Sequence, residues 1–462
     1  MVDEILELVA KARAAQSVVE FWSQERVDEM VAAAGWAAYE RSHAEACARS
    51  AIDETGMGVY ADKIAKHQKK TLGTLRDLQG LKTTGIIEEN KEKGLIKIAK
   101  PVGVIGALTP VTNASSTISC NGLPMLKTRN AVIFAPHPKA KVTCGLIAGY
   151  MREGLKQVGA PEDLIQYVPN PSVEMTQELM KHVDLVVATG GSAMVKVAYS
   201  SGTPAYGVGA GNAVVIVDET ADLADAANKI HLGKIFDNAT SCSSENSVVI
   251  QAAVFDQMLS NLKALGGHLC SAEEKAQLKQ AMWPDGTHLS PKVVGQHAQK
   301  IAQAAGIAVS PEIKFLMVLG EAVGSADMFS GEKLSPVMTL WKYDDFDAAV
   351  ALVTDITRYS GYGHSCGIHS TNQEHIMQLA TQAKVSRMMV RQTQAYANSG
   401  NYDNGLPFAL TLGCGTWGGN ITSENVHWKH FINTTWVSMP IQPVLPDENL
   451  IFGAHWNKYG KV

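Results

Sequence analysis

A single cysteine, Cys242, stands in a run of small polar residues that spans positions 236–247. Hydroxyl and amide side chains flank it, and an apolar run that reads as a strand, Val248–Val249–Ile250, follows soon after. Structural cysteines usually have aliphatic neighbours, whereas a thiol in a polar loop at a strand edge can react as its thiolate. We therefore predict that Cys242 is a nucleophile, with a structural or incidental role as the alternative.

A side chain that could assist such a nucleophile follows the first predicted strand of the sheet. The stretch Leu108–Thr109–Pro110–Val111–Thr112–Asn113 continues the apolar run at residues 101–108. Ligands meet a parallel sheet at the carboxyl ends of its strands, so the Asn113 amide could donate to an oxyanion there. The alternative is a turn asparagine beside a proline.

Three further stretches carry groups that could bind a cofactor. Thr189–Gly190–Gly191–Ser192 follows an apolar run and precedes a helical pattern, an arrangement that receives phosphate, although glycine can serve packing alone there. Residues 207–211 resemble a dinucleotide fingerprint only superficially, because we expect them to precede a strand rather than follow one and to open no helix. Glu332 lies just ahead of a predicted strand, where a lone carboxylate is usually solvated.

The elements that must position these residues follow from the apolar periodicity. Residues 2–81 read as several helices with breaks at Gly56–Met57–Gly58 and Gly80, and residues 86–98 read as a hairpin arm around Asn90–Lys91–Glu92–Lys93–Gly94. Buried strands then alternate with helices, which predicts a parallel, doubly wound α/β sheet followed by a second α/β unit. The predicted strands are at 101–108, 131–135, 164–168, 183–188, 213–217, 315–318, 337–340, 388–390 and 431–439.

Composition excludes several other classes of protein. The chain has 462 residues, of which 46% are hydrophobic, so it can form two or three packed domains. The net charge of -5 and the scattered basic residues predict no nucleic-acid partner and no acidic membrane surface. The seven cysteines have no metal-ligand or disulfide spacing, and no signal peptide or membrane span is apparent, so we expect no metal and a cytoplasmic enzyme.

Seven motifs occur in an order that resembles the CoA-acylating aldehyde dehydrogenases over nearly the whole chain. They are Thr109–Asn113, Ala135–Pro138, Thr189–Gly191, Gly207–Asn212, the Cys242 loop, Glu332–Val337 and Leu412–Asn425. The resemblance implies an aldehyde dehydrogenase-like fold with a Rossmann-type cofactor domain (1–230, with an arm at about 85–100), a catalytic domain (231–425) and a C-terminal oligomerisation strand and tail (426–462). It also implies NAD or NADP, coenzyme A as co-substrate, and a homodimer or homotetramer.

By matching motifs, Cys242 takes the place of the family's nucleophile and Asn113 that of its oxyanion amide. Glu332 takes the place of a carboxylate near the nicotinamide ribose, and the stretch from Pro136 to Lys139 stands where the family holds the adenosine ribose. Lys139 could accept a 2′-phosphate. The cofactor-binding residues implied in this way are Thr109, Pro110, His137, Lys139, Thr189, Gly190, Gly191, Ser192, Gly209 and Glu332.

One departure from hydrolytic aldehyde dehydrogenases indicates which product forms. Those enzymes carry a Glu-Leu-Gly-Gly motif whose glutamate activates water, and the aligned stretch here, Gly207–Asn212, has no carboxylate. A thiol can attack as its thiolate without that base, so we expect acyl transfer to coenzyme A. The alternatives are hydrolytic oxidation with a relocated base, or a silent scaffold.

The substrate prediction depends on Arg391, which follows the apolar strand Met388–Met389–Val390 where relatives commonly carry asparagine. A guanidinium facing the pocket would bind a sulfonate or a carboxylate, whereas a strand-end arginine can equally be solvated or salt-bridged. With the stretches 416–420 and 428–431, which look most like the sulfoacetaldehyde branch, this favours sulfoacetaldehyde. Succinate semialdehyde comes second and a general short-chain aldehyde third.

Overall fold

The computed structural model describes residues 2–461, except for the side chain of Ser192. The helices are α1 (Val2–Val19), α2 (Gln24–Tyr39), α3 (Arg41–Thr55), α4 (Tyr60–Leu78), α5 (Ala114–Lys127), α6 (Lys141–Gln157), α7 (Val173–His182), α8 (Ser192–Tyr199), α9 (Leu223–Ile235), α10 (Phe255–Ala264), α11 (Ala272–Met282), α12 (Ala298–Ala305), α13 (Phe346–Tyr359), α14 (Gln373–Gln382), α15 (Gln394–Ala397) and α16 (Glu448–Tyr459).

The strands fall into three sheets. They are β1 (Gly85–Asn90), β2 (Leu95–Pro101), β3 (Val104–Thr109), β4 (Ala131–Pro136), β5 (Ile165–Tyr167), β6 (Leu185–Thr189), β7 (Ala205–Val208), β8 (Ala213–Val217), β9 (Glu245–Gln251), β10 (Gly267–Leu269), β11 (Phe315–Leu319), β12 (Val337–Tyr343), β13 (Gly363–His369), β14 (Val385–Val390) and β15 (Ile432–Ser438). The predicted α/β class is therefore confirmed.

The helices predicted in residues 2–81 are confirmed as α1 to α4; α1 contacts β3 and β4 of the first sheet, and α2, α3 and α4 pack mainly on α5, α6 and one another. Helix α3 ends where Gly56 adopts a left-handed φ of 68°, a conformation that costs glycine little. Helix α1 packs its apolar face, including Ile5 and Val9, into the same core cluster as β3 and β4. This layer holds helix α4 near the junction of the two larger sheets.

The first sheet is five-stranded and parallel, in the order β5-β4-β3-β6-β7. Every residue of β3 and of β4 is buried, because helices cover both faces of a parallel sheet. The doubly wound order places the ends of β3 and β6 side by side, as ligand binding at a switch point requires. This sheet lies within the part of the chain predicted to form the cofactor unit.

The second sheet is seven-stranded and parallel, in the order β10-β11-β12-β9-β8-β13-β14. It corrects the predicted domain boundary at residue 230. Strand β8 is bonded to β9 and β13, and helix α9 packs in a core cluster of this sheet. The chain therefore crosses between the two sheets at residues 209–212, because β7 is the last strand of the first sheet and β8 belongs to the second.

The predicted hairpin arm is confirmed, and it is completed by a strand from the far end of the chain. Strands β1 and β2 pair antiparallel, and β15 pairs with β2 along its whole length. Beyond β15, large apolar side chains such as Val444, Leu445 and Leu450 are more than four-fifths exposed. The sequence prediction missed helix α16, whose N-terminus is capped by the Asp447 carboxylate.

Among the residues that the structure describes, no helix is both long enough and apolar enough to cross a lipid bilayer.

Candidate active site

The carboxyl ends of strands in the first sheet face the amino ends of strands in the second. A cavity of about 260 Å³ lies between them. The first sheet contributes the carboxyl ends of β3, β4, β6 and β7. The second sheet contributes the segments that precede the amino ends of β9 and β12, together with the start of β13. The lining includes Thr109, Pro110, Asn113, His137, Thr189, Gly190, Gly191, Gly209, Cys242 and Glu332. The fold thus brings residues from both halves of the chain to one site.

A strained left-handed turn precedes Cys242 in the chain. The φ angles of Asp237, Asn238 and Ala239 are 49°, 52° and 57°. Such conformations cost roughly 1–2 kcal/mol per non-glycine residue, so tertiary contacts must hold this turn. The sequence gives no glycine or other signal of it.

The contacts that hold the turn converge on the buried carboxylate of Asp237. It accepts a hydrogen bond from the Val59 N–H at 2.8 Å and from the Thr240 hydroxyl at 2.7 Å. The ammonium groups of Lys63 and Lys66, both on helix α4, also bind it, Lys63 at 3.3 Å. The buried carboxylate is thus held by two cations and two further hydrogen-bond donors, and these contacts offset the strain of the turn.

Gly211 leaves room for the nucleophile's backbone. A Cβ atom added to Gly211 would lie 2.0 Å from the carbonyl oxygen of Cys242. This close approach requires glycine in the segment that joins the two sheets. Part of the stretch at residues 207–211 therefore has a packing role. Contrary to our prediction that it follows no strand, this stretch begins in the last two residues of β7 and continues toward β8. It opens no helix, as predicted.

Asn113 has its side-chain orientation fixed by a lysine. The Lys66 ammonium donates a hydrogen bond to the Asn113 Oδ1 at 2.7 Å. An ammonium group only donates, so the contacting atom must be the amide oxygen, and the Nδ2 donor is left to face other partners. The Nδ2 donates one hydrogen to the Thr112 hydroxyl at 3.5 Å and keeps a second one. Within the described residues, the backbone N–H of Cys242 has no protein acceptor. Both groups can therefore donate to an oxyanion.

Burial dominates the electrostatics of the site. It raises the pKa of the Cys242 thiol to about 12, and ionised Glu332 would raise it further while Arg387 lowers it. The sequence context alone suggested a readily formed thiolate, so this is a correction. Burial also raises the pKa of Glu332 to about 8, so this carboxyl is protonated near neutral pH and does not oppose a thiolate.

Two residues that sequence reasoning missed stand near the thiol. His364 lines the cavity, burial lowers its pKa to about 3, and its Nε2 is buried without a partner. Arg387 is buried beneath it and donates to the carbonyls of His364 and Gly413. Neither lies in a recognisable sequence motif. A buried arginine within an apolar strand was the one available signal.

Most of the predicted cofactor residues line the cavity, and His137 also lines a neighbouring cavity with Pro136, Pro138 and Val173. Lys139 is exposed and lines neither cavity, while its backbone N–H donates to the His137 Nδ1 at 3.1 Å. The strand–turn–helix around Thr189–Gly190–Gly191 is formed by β6 and α8 as predicted. The predicted role of the Ser192 side chain lies outside the described part of the chain.

The prediction that Arg391 faces the pocket is wrong. Arg391 lies beyond the carboxyl end of β14, and its guanidinium donates to the Ser370 carbonyl at 3.0 Å, just after the end of β13. The active-site cavity lies at the amino ends of these parallel strands. The full length of the strands therefore separates Arg391 from Cys242.

A thiol, two groups that can donate to an oxyanion and a cavity at the carboxyl ends of a doubly wound sheet are what a cysteine needs to attack a carbonyl group. The model of the aldehyde dehydrogenase family matches residues 2–408. The chain belongs to the aldehyde dehydrogenase family.

Its relatives include enzymes named for sulfoacetaldehyde and for succinate semialdehyde. The chain is 50% identical over 455 residues to a sulfoacetaldehyde dehydrogenase of Acholeplasma, with 98% of this chain and 94% of that protein covered. It is 46% identical to an acylating sulfoacetaldehyde dehydrogenase of Bilophila wadsworthia (100% and 99% covered). It is 42% identical to an acetylating succinate-semialdehyde dehydrogenase of Clostridium kluyveri (93% and 94% covered).

Solved structures show the same fold. An acetylating aldehyde dehydrogenase from Geobacillus thermoglucosidasius superposes with a TM-score of 0.93 at 34% identity, covering 96% of this chain and 98% of that one. A propionaldehyde dehydrogenase of Rhodopseudomonas palustris with bound CoA and an acylated cysteine gives a TM-score of 0.84 at 29% identity, covering 94% and 97%.

Proposed function

We propose that this protein is a CoA-acylating aldehyde dehydrogenase that oxidises sulfoacetaldehyde to sulfoacetyl-CoA, reversibly, with NAD+ or NADP+. The observation that carries the proposal is the pairing of Cys242 with Asn113 in a cavity whose described lining has Glu332 as its one carboxyl group. A carboxyl that is protonated near neutral pH cannot activate water. A thiol acceptor needs no such base, and the names of the relatives above support both the acylating reaction and the substrate.

The chemistry follows from the chain's own groups. Cys242 loses its proton and its sulfur adds to the aldehyde carbon, while the Asn113 Nδ2 and the Cys242 N–H donate to the developing oxyanion. The thiol proton passes to solvent, and the neutral His364 imidazole lines the same cavity with its Nε2 unpartnered. The thiohemiacetal carbon then loses a hydride and becomes an acyl thioester on Cys242. The CoA thiolate attacks this thioester, which releases acyl-CoA and restores the Cys242 sulfur.

A nicotinamide dinucleotide, when bound, supplies the hydride acceptor. The cavity offers two buried oxygens without hydrogen-bond partners, the Thr109 hydroxyl and the Glu332 Oε1, which fit the polar groups of such a ligand. The turn at Thr189–Gly190–Gly191 would receive its phosphates at the start of α8. Lys139 remains our candidate for contact with a 2′-phosphate.

The proposal extends to assembly and location. We infer a cofactor unit, a catalytic unit and an oligomerisation arm, with a homodimer or homotetramer formed through the arm. The exposed apolar side chains beyond β15 support a partner on this surface. The seven cysteines are all free thiols, which supports a reducing cytoplasm. Light scattering before and after removal of residues 440–462 would test the assembly. An unchanged number of subunits would contradict this role for the tail.

The decisive experiment measures the product. Purified enzyme, sulfoacetaldehyde and NAD+ or NADP+ are incubated with and without coenzyme A, and products are identified by mass spectrometry. We expect sulfoacetyl-CoA and a strong dependence on coenzyme A. Sulfoacetate formed at the same rate without coenzyme A would establish the hydrolytic alternative, and an absence of reaction with any aldehyde would establish a silent scaffold.

Succinate semialdehyde is the second candidate substrate, favoured by the relative from Clostridium kluyveri. A comparison of kcat/KM for the two anionic aldehydes and for propionaldehyde separates the candidates. Sulfoacetaldehyde should have the highest value.

A further inference from the structure

A second, smaller cavity adjoins the nucleophile on the side of helix α4. Three lysines of that helix, Lys66, Lys69 and Lys70, line it, because their spacing places them on one face. Asn113 lines both this cavity and the larger one, and Ser241, which also lines it, directly precedes Cys242. A group attached to the aldehyde carbon can therefore reach this cavity while the carbonyl stays at the nucleophile.

Two of the three lysines have no ion-pair partner within the described residues. Lys66 is bound to Asp237 and Asn113, and so is committed to the site's own structure. Lys70 donates only to main-chain carbonyls, at 2.7–3.3 Å. The ammonium group of Lys69 donates no hydrogen bond within the described residues, although the Lys69 carbonyl accepts one from the Tyr402 hydroxyl at 3.3 Å.

Lys69 is half-buried, and aromatic rings stand beside its ammonium group. The nitrogen lies 5.1 Å from the centre of the Tyr396 ring and 5.7 Å from that of Tyr402. Burial lowers the pKa of Lys69, and the nearby carboxylate of Asp403 raises it without forming an ion pair. Its three ammonium hydrogens are thus available to a ligand, and partial burial strengthens their attraction for an anion.

We propose that Lys69, supported by Lys70, binds the anionic head group of the aldehyde substrate. This inference rests on the proposed function and replaces the role that the sequence suggested for Arg391. In sulfoacetaldehyde a single methylene separates the sulfonate from the aldehyde carbon, so the cation must lie beside Asn113 and Cys242. Lys69 and Lys70 line the same small cavity as Asn113 and Ser241, whereas Arg391 lies beyond the far end of β14.

The shape of the cavity adds a preference for short substrates. Its volume is about 20 Å³, which is close to the space of one water molecule. A sulfonate is larger than this space, so the side chain of Lys69 must move for a head group to enter. Its ammonium group, which donates no hydrogen bond within the described residues, is free to do so. A longer chain, as in succinate semialdehyde, needs more room between Asn113 and Tyr396. The lysines and the narrow space together select a compact sulfonate.

The test replaces Lys69 with methionine, which keeps an unbranched side chain and removes the charge. Lys69→Met should raise the KM for sulfoacetaldehyde about tenfold to a hundredfold, with kcat reduced far less, and should leave propionaldehyde kinetics within about twofold. Ethanesulfonate should inhibit the wild-type enzyme competitively against propionaldehyde and inhibit Lys69→Met at least tenfold more weakly, on the order of one lost charged contact.

The matched control is Lys279→Met, which makes the same change on the exposed surface of helix α11. It should behave as the wild type with both aldehydes. Lys70→Met should weaken sulfoacetaldehyde binding in the same direction, and circular dichroism will show whether loss of its three carbonyl contacts disturbs the fold.

The possible failures are distinguishable. If the wild type does not use sulfoacetaldehyde but is inhibited by ethanesulfonate in a Lys69-dependent manner, the substrate proposal fails and the anion site stands. If the wild type uses sulfoacetaldehyde and Lys69→Met loses equally on both aldehydes, or loses nothing, the anion site fails and the proposed function stands.

Discussion

Replacing Gly211 with alanine tests whether the close approach of the two sheets sets the position of the nucleophile. A Cβ atom at residue 211 would lie 2.0 Å from the Cys242 carbonyl oxygen and 2.8 Å from its carbonyl carbon, whereas Cβ contacts below 3.0 Å are essentially never seen. The two backbones must therefore separate by about 1 Å. The colliding atoms belong to the main chain, so no side-chain rotation can relieve the contact.

A displacement of about 1 Å should lower the catalytic rate strongly and the free energy of unfolding only moderately. Misplacing a reacting group by about 1 Å costs on the order of a hundredfold in rate. Overpacking typically costs about 1–3 kcal/mol in the free energy of unfolding, which a chain of this size should survive. We expect Gly211→Ala to fold, to lower kcat about a hundredfold, and to slow formation of the Cys242 acyl-enzyme in single-turnover experiments followed by mass spectrometry.

Gly149→Ala is the matched control, because a Cβ on that helical glycine would meet nothing within 4 Å. It should leave kcat unchanged and raise stability slightly, by about 0.5–1 kcal/mol. A Gly211→Ala enzyme with kcat within about threefold of the wild type would refute the claim that this contact positions Cys242, since a 1 Å shift should cost far more.

Three other predictions concern individual side chains. Because burial raises the pKa of Cys242 to about 12, its alkylation by iodoacetamide in the ligand-free enzyme should be slow at neutral pH and still rising at about pH 10. A plateau below about pH 9 would contradict this environment. Asn113→Ala should lower kcat by about 10²–10³ with the fold intact, the range for one lost oxyanion donor, and unchanged turnover would mean that the amide does not contact the oxyanion. Arg391→Ala should leave KM for anionic and neutral aldehydes within about twofold, since its partner is the Ser370 carbonyl. A rise for the anionic aldehyde alone would return Arg391 to the substrate site.

The sequence by itself determined many of the elements, although not β7, β10, β13 or α16, and it indicated the chemistry of single residues. The apolar runs were enough to place β3, β4, β6 and β8, because short buried strands bounded by polar turns are a local signal. The polar loop around Cys242 and the glycine turn after β6 were likewise readable from neighbouring residues. The hairpin of β1 and β2 was predicted from its polar turn.

The tertiary structure alone decided which ends of the strands in the two sheets meet at the active site. Each strand has two ends, and no local pattern states which end of β13 and β14 lies at the active-site cavity, so the position of Arg391 could not be read from the sequence. The bond from Lys66 to Asn113 joins residues far apart in the chain, as does the contact of Gly211 with Cys242. The left-handed turn before Cys242 was equally invisible, because its residues favour other conformations and are held there by distant lysines through Asp237. Local preferences fix the elements, but long-range packing and buried charge fix the active site.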